Sequence, residues 1–422
     1  MLGTTGAAAP SRVAPLLRTL QLGMGYFPEQ PGGLNRYVHG ITAHLPAAGV
    51  DCQTLVAGSE SVEGHSLGWT RAFAPSNAPL PARMIAACAA VRDALRDDPA
   101  QLVVSHFALY TLPALGAIGR GRPIVVHFHG PWADETRAEG AGKIAHALRH
   151  RLERTVYGRG TSFVVLSRAF ARVLHERYGV AEHLIRIVPG GVDVARFAPA
   201  NAPSRRECRE RLGWPTDRPI AFAVRRLARR MGLEDLIDAA REVRRRVPDA
   251  LVLIAGGGKL RGELEARVTD AGLADHVRLL GFLPDDQLPL AYRAADVTVV
   301  PTVALEGFGL IVAESLASGT PALVTPVGGL PEVVEALSPS LITERTGPAA
   351  IADTLSGALK GTLRLPDAAA CARFARERYS WDVVAGSVAE IYANVAGCGV
   401  WGVGSHTPEV DAPAREVACR LP

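Results

Sequence analysis

Short apolar runs alternate with stretches of helical period along almost the whole chain, and this alternation limits its fold more than any other feature. In the first half the strand-like segments are Leu17 to Met24, Cys52 to Val56, Leu102 to Ser105, Ile124 to His127, Ser162 to Leu166 and Ile185 to Val188. Helical patterns lie near Leu34 to Ala47, Arg83 to Leu95, Leu112 to Ile118, Ile144 to Tyr157 and Ala169 to Tyr178. The second half repeats the rhythm. Its strands are Ile220 to Val224, Leu251 to Ala255, Val277 to Leu280, Val297 to Val300 and Ala322 to Thr325, and its helices lie near Leu233 to Val247, Leu260 to Ala271, Asp286 to Ala294 and Leu310 to Ser318. Such alternation predicts mostly parallel sheets with helices on both faces.

A chain of 422 residues is long for one core, and the Pro-, Arg- and Ser-rich stretch from Pro199 to Pro219 breaks the rhythm. The expectation is an α/β protein of two domains, residues 1–195 and 196–380, with a cleft between them. In open parallel sheets ligands collect at the carboxyl ends of strands, so every strand-exit loop is a candidate contributor. Residues 381–396 read as an amphipathic helix, and 397–422, without periodicity, as a disordered tail.

Apolar content of 48% with 21% charged residues is that of a soluble globular protein. A net charge of +4 gives no argument for nucleic acid. The 46 basic residues include only three lysines, a statement about codons and not about chemistry. Six cysteines without C-x-x-C spacing read as reduced thiols of a cytosolic protein. Residues 1–16 lack the continuous apolar core of a signal peptide, and no apolar run approaches the ~18 residues of a membrane span. A cytoplasmic protein, soluble or membrane-peripheral, is expected.

The chemistry concentrates between Val299 and Leu323, VVPTVALEGFGLIVAESLASGTPAL. A buried strand ends at Pro301, a loop carries Glu306, and a helix opens at Leu310 with Glu314 just over one turn inside it. One carboxylate thus sits on a strand-exit loop and a second beside helix N-terminal amides, which attract phosphate oxygens. Taken alone, Glu306 reads first as a solvated loop acid and Glu314 as a favourable first-turn charge. Together, EGFGLIVAE resembles the E-x7-E motif of retaining nucleotide-sugar glycosyltransferases of the GT-B fold, family four (glycosyl transferases group 1).

Other segments resemble that family in the expected order, from about Leu20 to Val395. Pro31-Gly32-Gly33 resembles its Gly-rich first loop over the donor diphosphate, although a glycine pair alone reads as a turn. Asn35 and Arg36 follow, on the acceptor side. His127-Phe128-His129-Gly130 resembles its strand-exit histidine motif, with His129 toward the transferred sugar and His127 structural. A metal reading of His127 and His129 with His106 is the alternative, without an acid or cysteine set nearby to complete it. Ala223 to Glu234, AVRRLARRMGLE, resembles the G-R-L…K-G motif, Arg226 matching its arginine and Gly232 its glycine. Arg225 replaces the usual glycine and Met231 the usual lysine, with Arg230 as a substitute charge. Pro189-Gly-Gly-Val-Asp193 resembles a P-N-G-V-D hinge with Gly190 for asparagine. Ala255-Gly-Gly-Gly-Lys259 fits neither a Walker loop nor a dinucleotide fingerprint. The basic helix from Lys143 to Arg159 reads first as a solvated face, alternatively as a patch for an anionic acceptor or membrane surface.

The resemblance implies two Rossmann-like domains facing across a cleft, with the last helix crossing back to the first domain. It implies a retaining transfer from an NDP-sugar to a hydroxyl acceptor, with the NDP-sugar as substrate and no cofactor. His129 and Glu306 are the expected catalytic residues. Gly33, Arg226, Arg230, Phe308, Gly309 and Leu310 are expected at the donor diphosphate, Glu314 at the ribose, Leu283 at the base, and Asn35 and Arg36 at the acceptor. No D-x-D occurs in the sequence, in keeping with arginines and helix dipoles, not a metal, at the diphosphate. A nucleotide-sugar epimerase, a phosphorylase of the same fold, or a donor-binding protein without turnover are the competing readings.

Overall fold

The computed structural model describes residues 17–198 and 201–397. The tail beyond Gly397, expected to be disordered, lies outside the described residues. The first parallel sheet comprises β1 (Leu17–Gly25), β2 (Val50–Ala57), β3 (Thr70–Ala74), β4 (Leu102–Ser105), β5 (Ile124–Phe128), β6 (Ser162–Val165) and β7 (Ile185–Ile187), in the order β3-β2-β1-β4-β5-β6-β7. The second comprises β8 (Ile220–Val224), β9 (Leu251–Ala255), β10 (Val277–Gly281), β11 (Val297–Val300) and β12 (Ala322–Val324), in the order β10-β9-β8-β11-β12. Both start in mid-sheet, run outward, and return to the other side of their first strand. The two are Rossmann-like, and in each the order reverses beside the first strand, where the crevice for a ligand forms. In the first sheet the exits there are the Gly32-Gly33 loop after β1 and His106 after β4. In the second they are Arg225 after β8 and the Glu306 loop after β11.

The central strands read as nearly unbroken apolar runs because each is buried along its length: all four residues of β11 and all five of β9 are buried. Strand β3, TRAFA, is an edge strand that is mostly half-exposed and carries Arg71, so no apolar run announces it. Inside the Pro/Arg/Ser stretch the chain forms a helix, Arg205–Leu212, begun by a capping box of Ser204 and Glu207. Its one buried arginine, Arg209, bonds Ala294 O at 2.8 Å and Asp296 at 2.8 Å. A helix of RRECRERL has too few apolar residues to show a period. Val192 and Phe197, just before it, already pack in the second core.

The helix Trp381–Ala396 crosses back to the first domain. Trp381, Val384, Ala385, Val388 and Tyr392 are buried against Leu17, Ile41, Val104, Val125 and Val164, covering one face of the first sheet. Each large apolar side chain so buried contributes about 1.5–3 kcal/mol. Among the described residues no helix is long and apolar enough to cross a membrane, and the described cysteines, Cys52, Cys88, Cys208 and Cys371, are all free thiols.

Candidate active site

After β11 the chain makes a constrained loop around Glu306. Leu305 adopts φ 55°, a left-handed conformation that costs a residue with a side chain about 1–3 kcal/mol. Two contacts hold it there: Arg230 Nη1 donates to Leu305 O at 2.8 Å, and Gly329 N donates to Glu306 O at 2.9 Å. A Cβ on Gly328 would stand 2.0 Å from Glu306 O, so only glycine lets the loop after β12 come this close. Gly309, at φ 83°, turns the chain into the helix Leu310–Ala317.

Glu306 is largely buried, and its Oε2 lies 2.5 Å from Arg225 Nη2. The same nitrogen reaches Thr302 Oγ1 at 2.7 Å and Met231 Sδ at 2.8 Å. Eight residues on, Glu314 is 4% exposed, accepts from Tyr292 OH at 2.8 Å, and has Arg36 Nε 3.7 Å from its other oxygen. Both carboxylates of the E-x7-E string therefore face guanidinium groups.

The first domain contributes a wall of imidazoles. His106 and His127 are 3% and 2% exposed, and ligating nitrogens of His106, His127 and His129 lie within 4.8 Å of one another. Each nitrogen that faces inward has a hydrogen-bond partner. His106 Nε2 bonds Gln21 Oε1 at 2.8 Å and its Nδ1 bonds His129 Nε2 at 3.2 Å, while His127 lies between Tyr37 OH at 3.3 Å and Tyr392 OH at 2.7 Å. Because Gln21 Oε1 only accepts, His106 carries its proton on Nε2, and His129 Nε2 is the donor to it. Burial holds His129 down to about 3, and burial with the neighbouring rings holds His106 and His127 well below the usual range, so the cluster is neutral.

The two walls meet. Phe170, from the helix Arg168–Tyr178, fills the space where a Cβ on Gly307 or Gly130 would stand, 2.5 and 3.3 Å away, and so lies between the residues following Glu306 and His129. Glu332 of the second domain accepts from Arg168 N at 2.8 Å and Ala169 N at 2.9 Å, capping that helix. Glu135 and Glu139, in and just after the helix Trp132–Ala138, face the arginine loop after β8: Arg226 Nη2 is 2.5 Å from Glu139, and Arg230 Nη2 is 3.5 Å from Glu135. Burial raises the Glu135 carboxyl, opposed by Arg230. Glu153 anchors this helix by accepting from Trp132 N at 2.9 Å and Ala133 N at 3.3 Å. Glu306, Arg226 and His129 thus belong to one interdomain region.

The other sequence-derived site residues are placed less uniformly. Gly33 opens the helix Gly33–His44, and a Cβ there would meet nothing within 4 Å. Phe308 is 3% exposed and packs on Tyr379 at 5.3 Å between centroids, so its ring is spent in the second core. Leu310 and Leu283 are half-buried at the rim of the second core. Asn35, expected at the acceptor, is 2% exposed, and its amide is used inside the first loop: Oδ1 accepts from Gly25 N at 3.1 Å and Nδ2 donates to Gln30 O at 3.0 Å. Arg36, also expected there, reaches across to Asp285 and Glu314 of the second domain.

Residues 31–196 match the family model of Glycosyltransferase Family 4, and residues 204–378 match that of Glycosyl transferases group 1. The chain belongs to the family of glycosyl transferases group 1. It is 34% identical over 218 residues to a 2-deoxystreptamine glucosyltransferase of Streptomyces kanamyceticus, covering 51% of this chain and 56% of that protein. It is 35% identical over 250 residues to a D-inositol 3-phosphate glycosyltransferase of Xylanimonas cellulosilytica, covering 57% and 58%. These alignments span little more than half the length of either relative. Among solved structures it resembles Anabaena Alr3699/HepE in complex with UDP and glucose, at a TM-score of 0.73 and 19% identity over 90% of this chain and 100% of that one. It also resembles sucrose-phosphate synthase of Thermosynechococcus elongatus, at 0.74 and 22% over 91% and 100%. At such identities the likeness is one of fold, and that fold is GT-B.

Three features of this chain escaped the motifs. Arg225 was legible only as a departure from a glycine, yet it is the group on Glu306. Gly328-Gly329 left a signal, a glycine pair between a strand and a proline-containing helix. Glu153 left none, since one acid in a basic helix reads as a surface charge.

Proposed function

We propose that the protein transfers a sugar from a nucleoside diphosphate sugar to an acceptor hydroxyl with retention of configuration and without a metal. The observation that carries this reading is the convergence of Arg225 and Arg230 on the Glu306 loop at the mouth of the helix Leu310–Ala317, where a diphosphate finds both guanidinium forks and free amides, with Arg226 held beside Glu139 across the cleft. The relatives support the donor class: one is named a GDP-mannose-dependent mannosyltransferase, and Alr3699/HepE was solved with UDP-glucose. In this reading Glu314 holds the ribose and backbone around Leu283 the base. The departing phosphate takes the acceptor proton, while Glu306 and neutral His129 stabilise the positive charge developing on the sugar. Gly33, Gly309 and the backbone of Phe308 and Leu310 let the diphosphate approach closely.

Exposed Ile144 and Leu148 beside exposed Lys143 and Arg151 support a peripheral contact with a membrane. The test of the transfer itself is a thermal-shift screen of nucleoside diphosphates and their sugars, followed by NMR of product with an acceptor panel, with and without EDTA. Stabilisation by a nucleoside diphosphate, a product anomer matching that of the donor, and a rate indifferent to EDTA are expected. An inverted anomer, an EDTA-sensitive rate, or a new sugar formed from donor alone overturns the proposal.

A further inference from the structure

Arg225 is the most deeply buried of the cleft arginines. Its side chain is 7% exposed, against 12% for Arg230, 24% for Arg36 and 52% for Arg226. A guanidinium taken out of water needs counter-charge and a partner for each N–H. The geometry meets only part of that need. Three acceptors crowd on Nη2, one of them the weakly accepting Met231 sulfur, while the buried Nε makes no hydrogen bond among the described residues. Its backbone is fixed at the end of β8: Arg225 N donates to Ala255 O at 2.9 Å, and a Cβ on Gly256 would stand 1.9 Å from Arg225 O. The charge is thus held at the switch point with donor capacity unspent.

We infer that Arg225 is a donor-binding residue of this glycosyltransferase: it supplies the buried cation that meets the diphosphate and holds the Glu306 carboxylate beside the reacting sugar. The inference rests on the donor reading above. The two departures in the AVRRLARRMG segment, Arg225 for glycine and Met231 for lysine, are in direct contact. The end of the side chain at 231 lies against the guanidinium, so a lysine at 231 and an arginine at 225 would bring positive charge to one place from two backbone positions. Met231, 6% exposed in the second core, leaves that place to Arg225.

Calorimetric titration of the full chain with UDP, GDP, ADP and dTDP, and with the matching nucleosides, tests this in the wild type, Arg225→Gly, Arg225→Lys and the double variant Arg225→Gly/Met231→Lys. Loss of a charge-assisted contact weakens nucleoside diphosphate binding about 10- to 100-fold in Arg225→Gly and leaves nucleoside binding unchanged. Arg225→Lys retains part of the affinity, and the double variant recovers most of it. Where Arg225→Gly does not fold, Arg225→Gln is read by the same criteria. Diphosphate affinity in the glycine variant equal to wild type, an equal loss for nucleosides, or no recovery in the double variant overturns the assignment of Arg225 and leaves the donor reading standing. A wild type that binds none of the four diphosphates overturns both.

Discussion

The hydroxyl of Tyr392 lies 2.7 Å from Nε2 of His127, joining the last described helix to the strand that ends in the HFHG motif across 265 positions of sequence. Both groups are buried, and Tyr37 OH bonds the other nitrogen of the same ring at 3.3 Å. The C-terminal helix therefore completes the histidine wall of a domain built from the other end of the chain.

Tyr392→Phe keeps the ring and leaves one imidazole nitrogen buried without its partner, which costs about 1–3 kcal/mol. A lower midpoint in urea unfolding is expected, with nucleotide affinity little changed, because Tyr392 lies behind the wall. A variant as stable as wild type would show that the bond contributes nothing.

At the second carboxylate, Glu314→Ala should mainly weaken nucleotide binding, by about tenfold for one lost charged hydrogen bond. Glu314→Gln retains an acceptor for Tyr292 OH and so separates loss of ligand contact from loss of packing. If calorimetry finds every nucleoside diphosphate bound as tightly by both variants, Glu314 does not hold the ribose.

Arg226 is half-exposed and paired with Glu139 across the cleft, in a pair whose geometry is good but which solvent screens to about 0–1 kcal/mol. Glu139→Gln should therefore raise nucleoside diphosphate affinity by no more than about fivefold. Arg226→Ala should reduce turnover at least about a hundredfold, of the order of a lost charge-stabilising donor. Near-normal turnover in Arg226→Ala removes it from the site.

The three imidazoles set a pH dependence. In the unfolded chain each titrates near 6.5, whereas in the fold His129 is held down to about 3 by burial, and His106 and His127 well below the usual range. Below about pH 6.5 the unfolded state binds protons that the native state refuses, so stability falls as pH drops and this source of loss vanishes above that value. Each imidazole contributes about 1.4 kcal/mol per pH unit in that window. His127→Gln should start less stable but show a shallower fall between about pH 7 and pH 5. An unchanged slope would mean that His127 is protonated in the native state.

The alternation of short buried strands with helical periods was enough to determine two parallel α/β halves, because a strand buried on both faces must be apolar throughout and its covering helices must carry a stripe. The same local rules place Glu306 on a strand exit and Glu314 within a helix. They also explain what was missed: β3 is an exposed edge, and the helix Arg205–Leu212 is capped and ion-paired instead of amphipathic. Side-chain destinations needed the tertiary structure. Asn35 lies next to Arg36 in sequence, yet one is consumed inside its loop and the other crosses the cleft to Asp285 and Glu314. Arg225 occupies a glycine's place in the motif, and only the packing of β8 beside β11 brings its guanidinium to Glu306. Distance along the chain carries no information about which charge a long, flexible side chain will reach; that is decided by which backbones the sheet order sets side by side.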